Sequence, residues 1–344
     1  MLEGKILLLP DATHAPHINT LNDSDATMPT KRFFPIEWLT FSYVVSTLIY
    51  LLIYFSEVQN PGQLINVRLL IILFMGMGAY VAGKKDSKVL DAIRQFIPFL
   101  LLGYWYSETF YFSTLFTTNK DPFFFNLEQY LFGTQPSLAF SRILPMRWFS
   151  ELMYFGYFSY YLFLFVVPLW FWIRHPNDYD RLIFIIMASF FLYYLIYDLL
   201  PVAGPQFFFQ GKDAEVPEGY FFSHTVRLIQ HLGEKPTAAF PSSHVGMTFI
   251  VLLFTAQRDR RLFYWLLPFA LNLMCSTVYI KAHYLIDVFG GLVSAIALYY
   301  FTGWLYNLSL RRDVFRLPTR WAAFLREQEE ALKELGHKST DNEH

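Results

Sequence analysis

The chain has 344 residues, 54% of them hydrophobic, 20% aromatic and only 16% charged, where soluble domains ordinarily have about 25% charged residues. With a mean hydropathy of +0.31, that shortfall points to a membrane protein. A net charge of −1 leaves no basic excess to displace counterions from nucleic acid, which excludes that class of partner. The single cysteine, Cys275, cannot form an internal disulfide.

Residues 1–30 hold a short apolar stretch, Ile6 to Leu9, followed by polar sequence. That stretch is too short for a secretory signal, and the segment reads as a disordered polar tail. His14 and His17 within it lack a third ligand for a metal. Beyond it the pattern is all-α. A helix needs about 20 apolar residues to cross the hydrocarbon core, and eight segments fit or come close, at 36–55, 64–82, 94–117, 149–173, 181–203, 240–256, 262–282 and 284–306. The sixth is short, and the eighth follows the seventh almost without a break. The expected architecture is a polytopic transmembrane helix bundle of about eight spans. It divides into two N-terminal helices over 31–90, a six-helix core over 91–306 and a charged cytoplasmic tail over 307–344. Between the third and fourth spans, 118–147 is apolar but broken by Pro122, Gly133 and Pro136, so a re-entrant or interfacial segment is predicted. The 204–238 stretch is a long polar loop rich in glycine and proline, and long loops often carry function.

Orientation follows from lysine and arginine in short loops. Lys31 and Arg32, then Lys84, Lys85, Lys88 and Arg94, then Arg174 and Arg181, then Arg258, Arg260 and Arg261, and finally Arg311, Arg312, Arg316 and Arg320 all fall on one side of an eight-span chain. That side is expected to be cytoplasmic and to hold both termini. The 118–147 and 204–238 segments then lie on the other face.

Two short stretches carry chemistry: Phe240-Pro241-Ser242-Ser243-His244 and Lys281-Ala282-His283-Tyr284-Leu285-Ile286-Asp287. Two crossings and a tight turn separate His244 from His283, so both imidazoles return to the same, non-cytoplasmic face. His283 and Asp287 stand four apart, on one side of a helix that includes both. A carboxylate there can hold one ring nitrogen, fix the tautomer and leave the other nitrogen free to attack. Pro241 suits a helix's first turn, and Ser242 and Ser243 then offer hydroxyls and free N–H groups at a helix N-terminus, a natural phosphate site. A single interfacial histidine is more often a simple hydrogen-bonder. Two histidines and an aspartate at helix ends on one face are harder to dismiss, because intramembrane ionisable groups are costly.

These residues bring a family into view. AAFPSSHVGMTF and STVYIKAHYLIDVFGG resemble the second and third motifs of the type 2 phosphatidic acid phosphatase (PAP2) superfamily, PSGH and SRxxxxxHxxxD. The resemblance implies a six-helix core, His283 as a nucleophile forming a phosphohistidine, Asp287 as its partner and His244 as the acid for the leaving oxygen. It implies no metal and no cofactor. The sequence departs from the family where Thr277 stands in place of the arginine after Ser276, and the first motif, KxxxxxxRP, is not recognisable. Its place is taken by Asp198-Leu199-Leu200-Pro201-Val202-Ala203-Gly204-Pro205-Gln206. That stretch, LEQYLFGTQPS and His283-Tyr284 are similar to the inositol phosphorylceramide synthase branch. A phosphodiester carries less charge than a monoester, so the missing cations suit a diester donor. Lys281, Lys235 or Arg227 could fold in to replace them; Lys281 reaches the site only if the helix begins after it.

Glu108, Glu151 and Asp198 fall in the outer halves of their spans. Carboxylates there could hold a polyol acceptor, or they could simply pair with Arg68 or tyrosine hydroxyls. The expected activity is transfer of an inositol phosphate-like head group from a phospholipid to a lipid alcohol. Hydrolysis of a lipid phosphate monoester is the alternative and a non-catalytic lipid-binding protein the remote one. The expected partners are membrane lipids.

Overall fold

The computed structural model describes residues 33–311 apart from 85, 86, 114 and 116. The expected N-terminal tail and the chain beyond 311 lie outside the described residues. Within them the protein is helical, with no strand, and it is an all-α polytopic bundle. The helices in chain order are α1 (Pro35–Ile53), α2 (Pro61–Lys84), α3 (Lys88–Leu100), α4 (Leu102–Phe112), α5 (Asp121–Phe132), α6 (Pro136–Ile143), α7 (Arg147–Arg174), α8 (Pro176–Leu199), α9 (Pro205–Phe208), α10 (Phe221–Gly233), α11 (Ser243–Arg258), α12 (Arg260–Tyr279) and α13 (Leu285–Arg311).

Six of these, α1, α2, α7, α8, α12 and α13, are long and apolar enough to cross a membrane, so this is an integral membrane protein. The third and sixth expected spans differ in form. The third is two helices of 13 and 11 residues joined at Leu101, the break lying just after Pro98, whose ring disfavours a straight helix. The sixth, α11, has 16 residues, about 24 Å at the α-helical rise. Both still run from one end of the bundle to the other. Arg94 near the start of α3 bonds Glu37 at the head of α1, whereas Phe112 at the end of α4 packs on Tyr50 near the foot of α1.

Helix α8 is the most deeply buried of the six and touches α1, α4, α7, α11 and α13. Its largely apolar and aromatic run from Leu182 to Tyr197 explains this, since a helix apolar all round is stable only inside a bundle. Two buried ion pairs tie the N-terminal helices to the rest. Arg68 of α2 grips Glu108 of α4 with both terminal nitrogens at 2.9 and 2.7 Å, and Arg94 holds Glu37 at 2.8 and 2.7 Å. Each charge is matched by a fork of hydrogen bonds, the condition under which ions tolerate burial.

The turns sort to two ends. Asp178 after the α7–α8 turn pairs with Arg258 at 3.4 Å, and His175 lies 3.4 Å from Asp259 between α11 and α12. That end also holds the junction of α1, α8 and α13 around Phe184 and Tyr306. The opposite end is roofed by α5, α6, α9 and α10. The 118–147 segment is two short helices of 12 and 8 residues, neither long enough to span, where its broken apolar pattern predicts a re-entrant or interfacial segment. The 204–238 stretch corrects the reading as a loop, because 13 of its residues form α10. Flanking glycines and prolines hid that helix. Its outer side exposes Phe221, Leu228 and Leu232, spaced seven and four apart on one stripe.

Candidate active site

The roofed end is built by three connecting segments that bond one another. Pro201 to Gln206 threads between α5 and the turn before α13. Its backbone is caught on both sides: Lys120 N–H donates to Pro201 at 2.9 Å, Ala239 N–H to Val202 at 2.8 Å and Gln206 N–H to Lys281 at 2.8 Å. Asp121, at the first turn of α5, accepts from Ala203 N–H at 2.6 Å and Gly204 N–H at 2.8 Å. It also accepts from the Tyr284 hydroxyl at 3.1 Å. Gly204 is required here. Its φ is +92°, and a Cβ would sit 2.8 Å from the Ala282 carbonyl oxygen, which no L side chain tolerates.

This clamp fixes the two histidines. His244 lies in the first turn of α11, which starts at Ser243 with Ser242 as its N-cap; the Ser242 hydroxyl accepts from Val245 N–H at 3.3 Å. Pro241 therefore precedes the helix and does not open it. His283 sits in the turn between α12 and α13, and α13 begins only at Leu285. His283 and Asp287 are thus not two steps along one helix. Their side chains still meet, with Nδ1 to Oδ2 at 3.4 Å, because Oδ2 also accepts from Tyr284 N–H at 2.8 Å and folds back over the helix start.

The closer partner of His283 is the backbone. Nδ1 lies 2.8 Å from the Ala239 carbonyl oxygen. A carbonyl only accepts, so Nδ1 carries the hydrogen and Nε2 keeps a lone pair. Nε2 faces His244 Nδ1 at 3.2 Å, so the hydrogen between the rings belongs to His244. Its ring is held by aromatic faces, Tyr157 at 4.7 Å and Tyr160 at 4.4 Å between centroids. Burial pushes the His283 imidazole down to about 4, which keeps it neutral at ordinary pH. The pair is a lone-pair nitrogen beside an N–H donor, arranged for attack on an electrophile and protonation of a leaving oxygen. No phosphorus fits between nitrogens 3.2 Å apart, so the rings must separate when a phosphoryl group enters.

The other sequence candidates divide. Ser242 and Ser243 are buried at the α11 N-terminus beside the pair. Lys281 does not turn toward His283. Its backbone has φ +64°, and its ammonium donates to the carbonyls of Asp213, at 2.7 Å, and Glu215, so it pins the 211–215 turn. Arg227 is occupied by the Val216 carbonyl and the Tyr154 hydroxyl. Glu108 is taken by Arg68, and Glu151 accepts from Tyr220, Phe222 and Ser223 N–H at 2.6, 2.7 and 3.3 Å, capping α10. Asp198 lies apart, in a cavity of about 410 Å³ between α1, α8 and α13. The pairing alternative accounts for Glu108, and helix capping for Glu151.

Two acids near the pair were not singled out in the sequence. Glu234, just past α10, accepts from the Tyr157 hydroxyl at 2.6 Å and from Gln206 Nε2 at 2.5 Å. Glu128 of α5 is buried and accepts from Ile286 N–H at 3.1 Å. Glu128 lies within LEQYLFGTQPS, whereas Glu234 belongs to no short motif; contacts between distant chain segments bring both in.

A family model described as the PAP2 superfamily matches residues 124–301, the stretch from α5 to α13. No curated protein and no solved structure matches the chain.

Proposed function

The chain belongs to the PAP2 superfamily, and from that premise we propose that it is a lipid phosphotransferase working through a phosphohistidine. That it is an enzyme of phosphatase or phosphotransferase type follows from membership. The finer reading is that it moves an inositol phosphate-like head group from a phospholipid to a lipid alcohol. The observation that carries the phosphohistidine mechanism is the histidine pair, its tautomers set by the Ala239 carbonyl; the preference for a diester donor rests on the cations around it.

In the first step the His283 Nε2 lone pair forms a bond to phosphorus. The bond from phosphorus to the donor lipid's oxygen breaks, and His244, held as the imidazolium by the entering phosphate anion, gives that oxygen its proton and is left neutral. In the second step His244 takes the proton of an acceptor hydroxyl. That oxygen bonds to phosphorus, the phosphorus–nitrogen bond breaks, and His283 is restored. Asp287 stands behind His283 to favour the positive charge the ring gains on phosphorylation. Ser242 and Ser243 with the α11 N-terminus are the assigned cradle for the phosphoryl oxygens.

Diester chemistry is supported by the lack of cations. Among the described residues no lysine or arginine bonds either histidine, and Lys281 and Arg227 are spent elsewhere. Hydrolysis of a monoester, the second reading, uses the same two steps with water as acceptor and is supported by the superfamily's phosphatase members. The basic turns about Arg174, Arg258, Arg260 and Arg261 lie at the end opposite the histidines. By the positive-inside rule we assign the site to the non-cytoplasmic face and both termini to the cytoplasm.

The test is made on detergent-purified protein, wild type beside His283→Ala. Each is given phosphatidic acid or phosphatidylinositol with ceramide or diacylglycerol, following free phosphate and new head-group lipid together. Head-group transfer without phosphate release, lost in His283→Ala, is expected. Phosphate release from the monoester with no new lipid would make the protein a phosphatase, and activity unchanged in His283→Ala would remove the mechanism.

A further inference from the structure

Glu234 poses a physical problem. Its carboxylate lies one tyrosine ring away from His244, in a site whose substrate is an anionic phosphate. An acid there repels phosphate oxygens, and a phosphomonoester, with nearly twice the charge of a diester, is repelled most. The carboxylate is nonetheless built in. Oε1 accepts from the Tyr157 hydroxyl at 2.6 Å, and that same Tyr157 ring lies on His244. Oε2 accepts from Gln206 Nε2 at 2.5 Å and Gln230 Nε2 at 3.3 Å, and Gln230 Nε2 also donates to Gln206 Oε1 at 3.1 Å. Glu234, Gln206 and Gln230 are each partly open to solvent, so the group is a lining and not a sealed core network.

We propose that Glu234, Gln206 and Gln230 form a hydroxyl-binding subsite beside the histidine pair, one that takes the neutral polyhydroxylated head group of a phosphodiester lipid and disfavours a phosphomonoester. It rests on the phosphotransferase reading and names the feature that selects the substrate. Carboxylate and amide oxygens accept from hydroxyls, and amide nitrogens donate to them, so the three side chains supply alternating acceptors and donors. Phosphate oxygens only accept, and a carboxylate offers them nothing. The subsite hangs from α10 and its end, whose outer side exposes Leu228 and Leu232. An amphipathic helix of this kind lies in the membrane interface, at the depth where a lipid's head group stands. A cationic head group is less well served, because the faces of Tyr157 and Tyr160 are occupied by His244.

Binding is measured on the full chain carrying His283→Ala, so that nothing turns over, with and without Glu234→Gln. The probes are phosphatidylinositol, phosphatidylcholine and phosphatidic acid in detergent micelles. Glu234→Gln is expected to weaken phosphatidylinositol about tenfold or more, the size of a lost charge-assisted hydrogen bond. It should leave phosphatidylcholine unchanged and tighten phosphatidic acid. Gln230→Leu, which leaves the carboxylate in place, should weaken only phosphatidylinositol. In the otherwise wild-type chain, Glu234→Gln should raise KM for the polyol lipid more than it lowers kcat. The proposal is overturned by an equal loss for all three lipids, which is a scaffold role, by a loss confined to phosphatidylcholine, which is a cation site, by no loss, or by a parent protein without preference for the polyol lipid. Turnover by His283 is read separately, so failure of the subsite and failure of the phosphohistidine mechanism give different results.

Discussion

His283 and Ala239 are joined by a hydrogen bond of 2.8 Å from ring Nδ1 to backbone oxygen, across 44 residues of chain. The carbonyl cannot change its protonation, so the orientation and tautomer of the ring are set by the fold and not by an ionisable neighbour. The same bond makes the segment before α11 part of the site, since Ala239 is itself held by its N–H to Val202 at 2.8 Å.

The first prediction concerns pH. Burial lowers the His283 imidazole to about 4, with the Glu234 carboxylate and the Ala239 carbonyl opposing that shift. The neutral ring is the proposed nucleophile, so its competence is lost only as pH falls through about 4. A solvated imidazole would protonate near 6.5. The kcat/KM profile should therefore lose nothing attributable to this ring between pH 7 and 5. An acidic limb centred near 6.5 that disappears in no other variant would show that the ring is solvated in the working enzyme.

Asp287→Asn should cost less than a triad analogy suggests. Where a carboxylate alone fixes a catalytic histidine's tautomer, its loss costs roughly 10⁴-fold. Here Ala239 does that task, and Asp287 stands 3.4 Å from Nδ1. Only the stabilisation of the charged ring is forfeited, for an expected drop of about 10- to 100-fold in kcat. Steady-state rates beside His283→Ala check this; two variants equally dead would return the tautomer to Asp287.

Much of this was legible because it is local. Apolar runs of about 20 residues located the six helices able to span, and two crossings with a tight turn placed His244 and His283 at one end. What escaped notice depends on contacts across long stretches of chain. Glu234 reaches Tyr157, whose ring lies on His244, only because α10 folds over the site, and α10 was hidden among glycines and prolines. Lys281 was expected to reach the site only if the helix began after it; α13 does begin after it, at Leu285, yet the ammonium bonds the 211–215 turn instead. Glu108 and Glu151 already had partners, Arg68 and the head of α10. Spacing gives position along a helix and not what occupies a side chain's bonds.

Glu128→Gln tests the support beneath the site. Burial raises the Glu128 carboxyl to about 7, against the lowering effect of the Ile286 N–H and with the Asp287 charge adding to the rise. A folded value above the ordinary one means that the folded chain holds this proton more tightly than the unfolded chain. The resulting stability is complete below about 4.5 and lost as pH rises through about 7. Glutamine keeps an acceptor for Ile286 and never ionises. Melting in detergent should fall between pH 5 and 8 in the wild type and fall less in Glu128→Gln, which should be the more stable at pH 8. Parallel pH curves would mean that Glu128 is solvated.

Gly291→Ala should disable the protein although it adds only one methyl group. A Cβ at Gly291 would stand 2.6 Å from the Ser242 carbonyl oxygen and 3.2 Å from Val245 Cβ, and neither can rotate away. Helices α11 and α13 would have to part. Their contact also carries the Ser242 N–H bond to the Asp287 carbonyl at 3.0 Å, so parting moves the α11 N-terminus and the start of α13 together. Overpacking of this kind costs about 1–3 kcal/mol, and the altered spacing of His244 and His283 should add a loss of activity larger than the loss of stability explains. Gly62→Ala is the control, because nothing lies within 4 Å of its added methyl; stability and turnover should both hold. If Gly291→Ala melted early yet kept full turnover per folded molecule, the distance between the two helix ends would not be what sets the histidine pair.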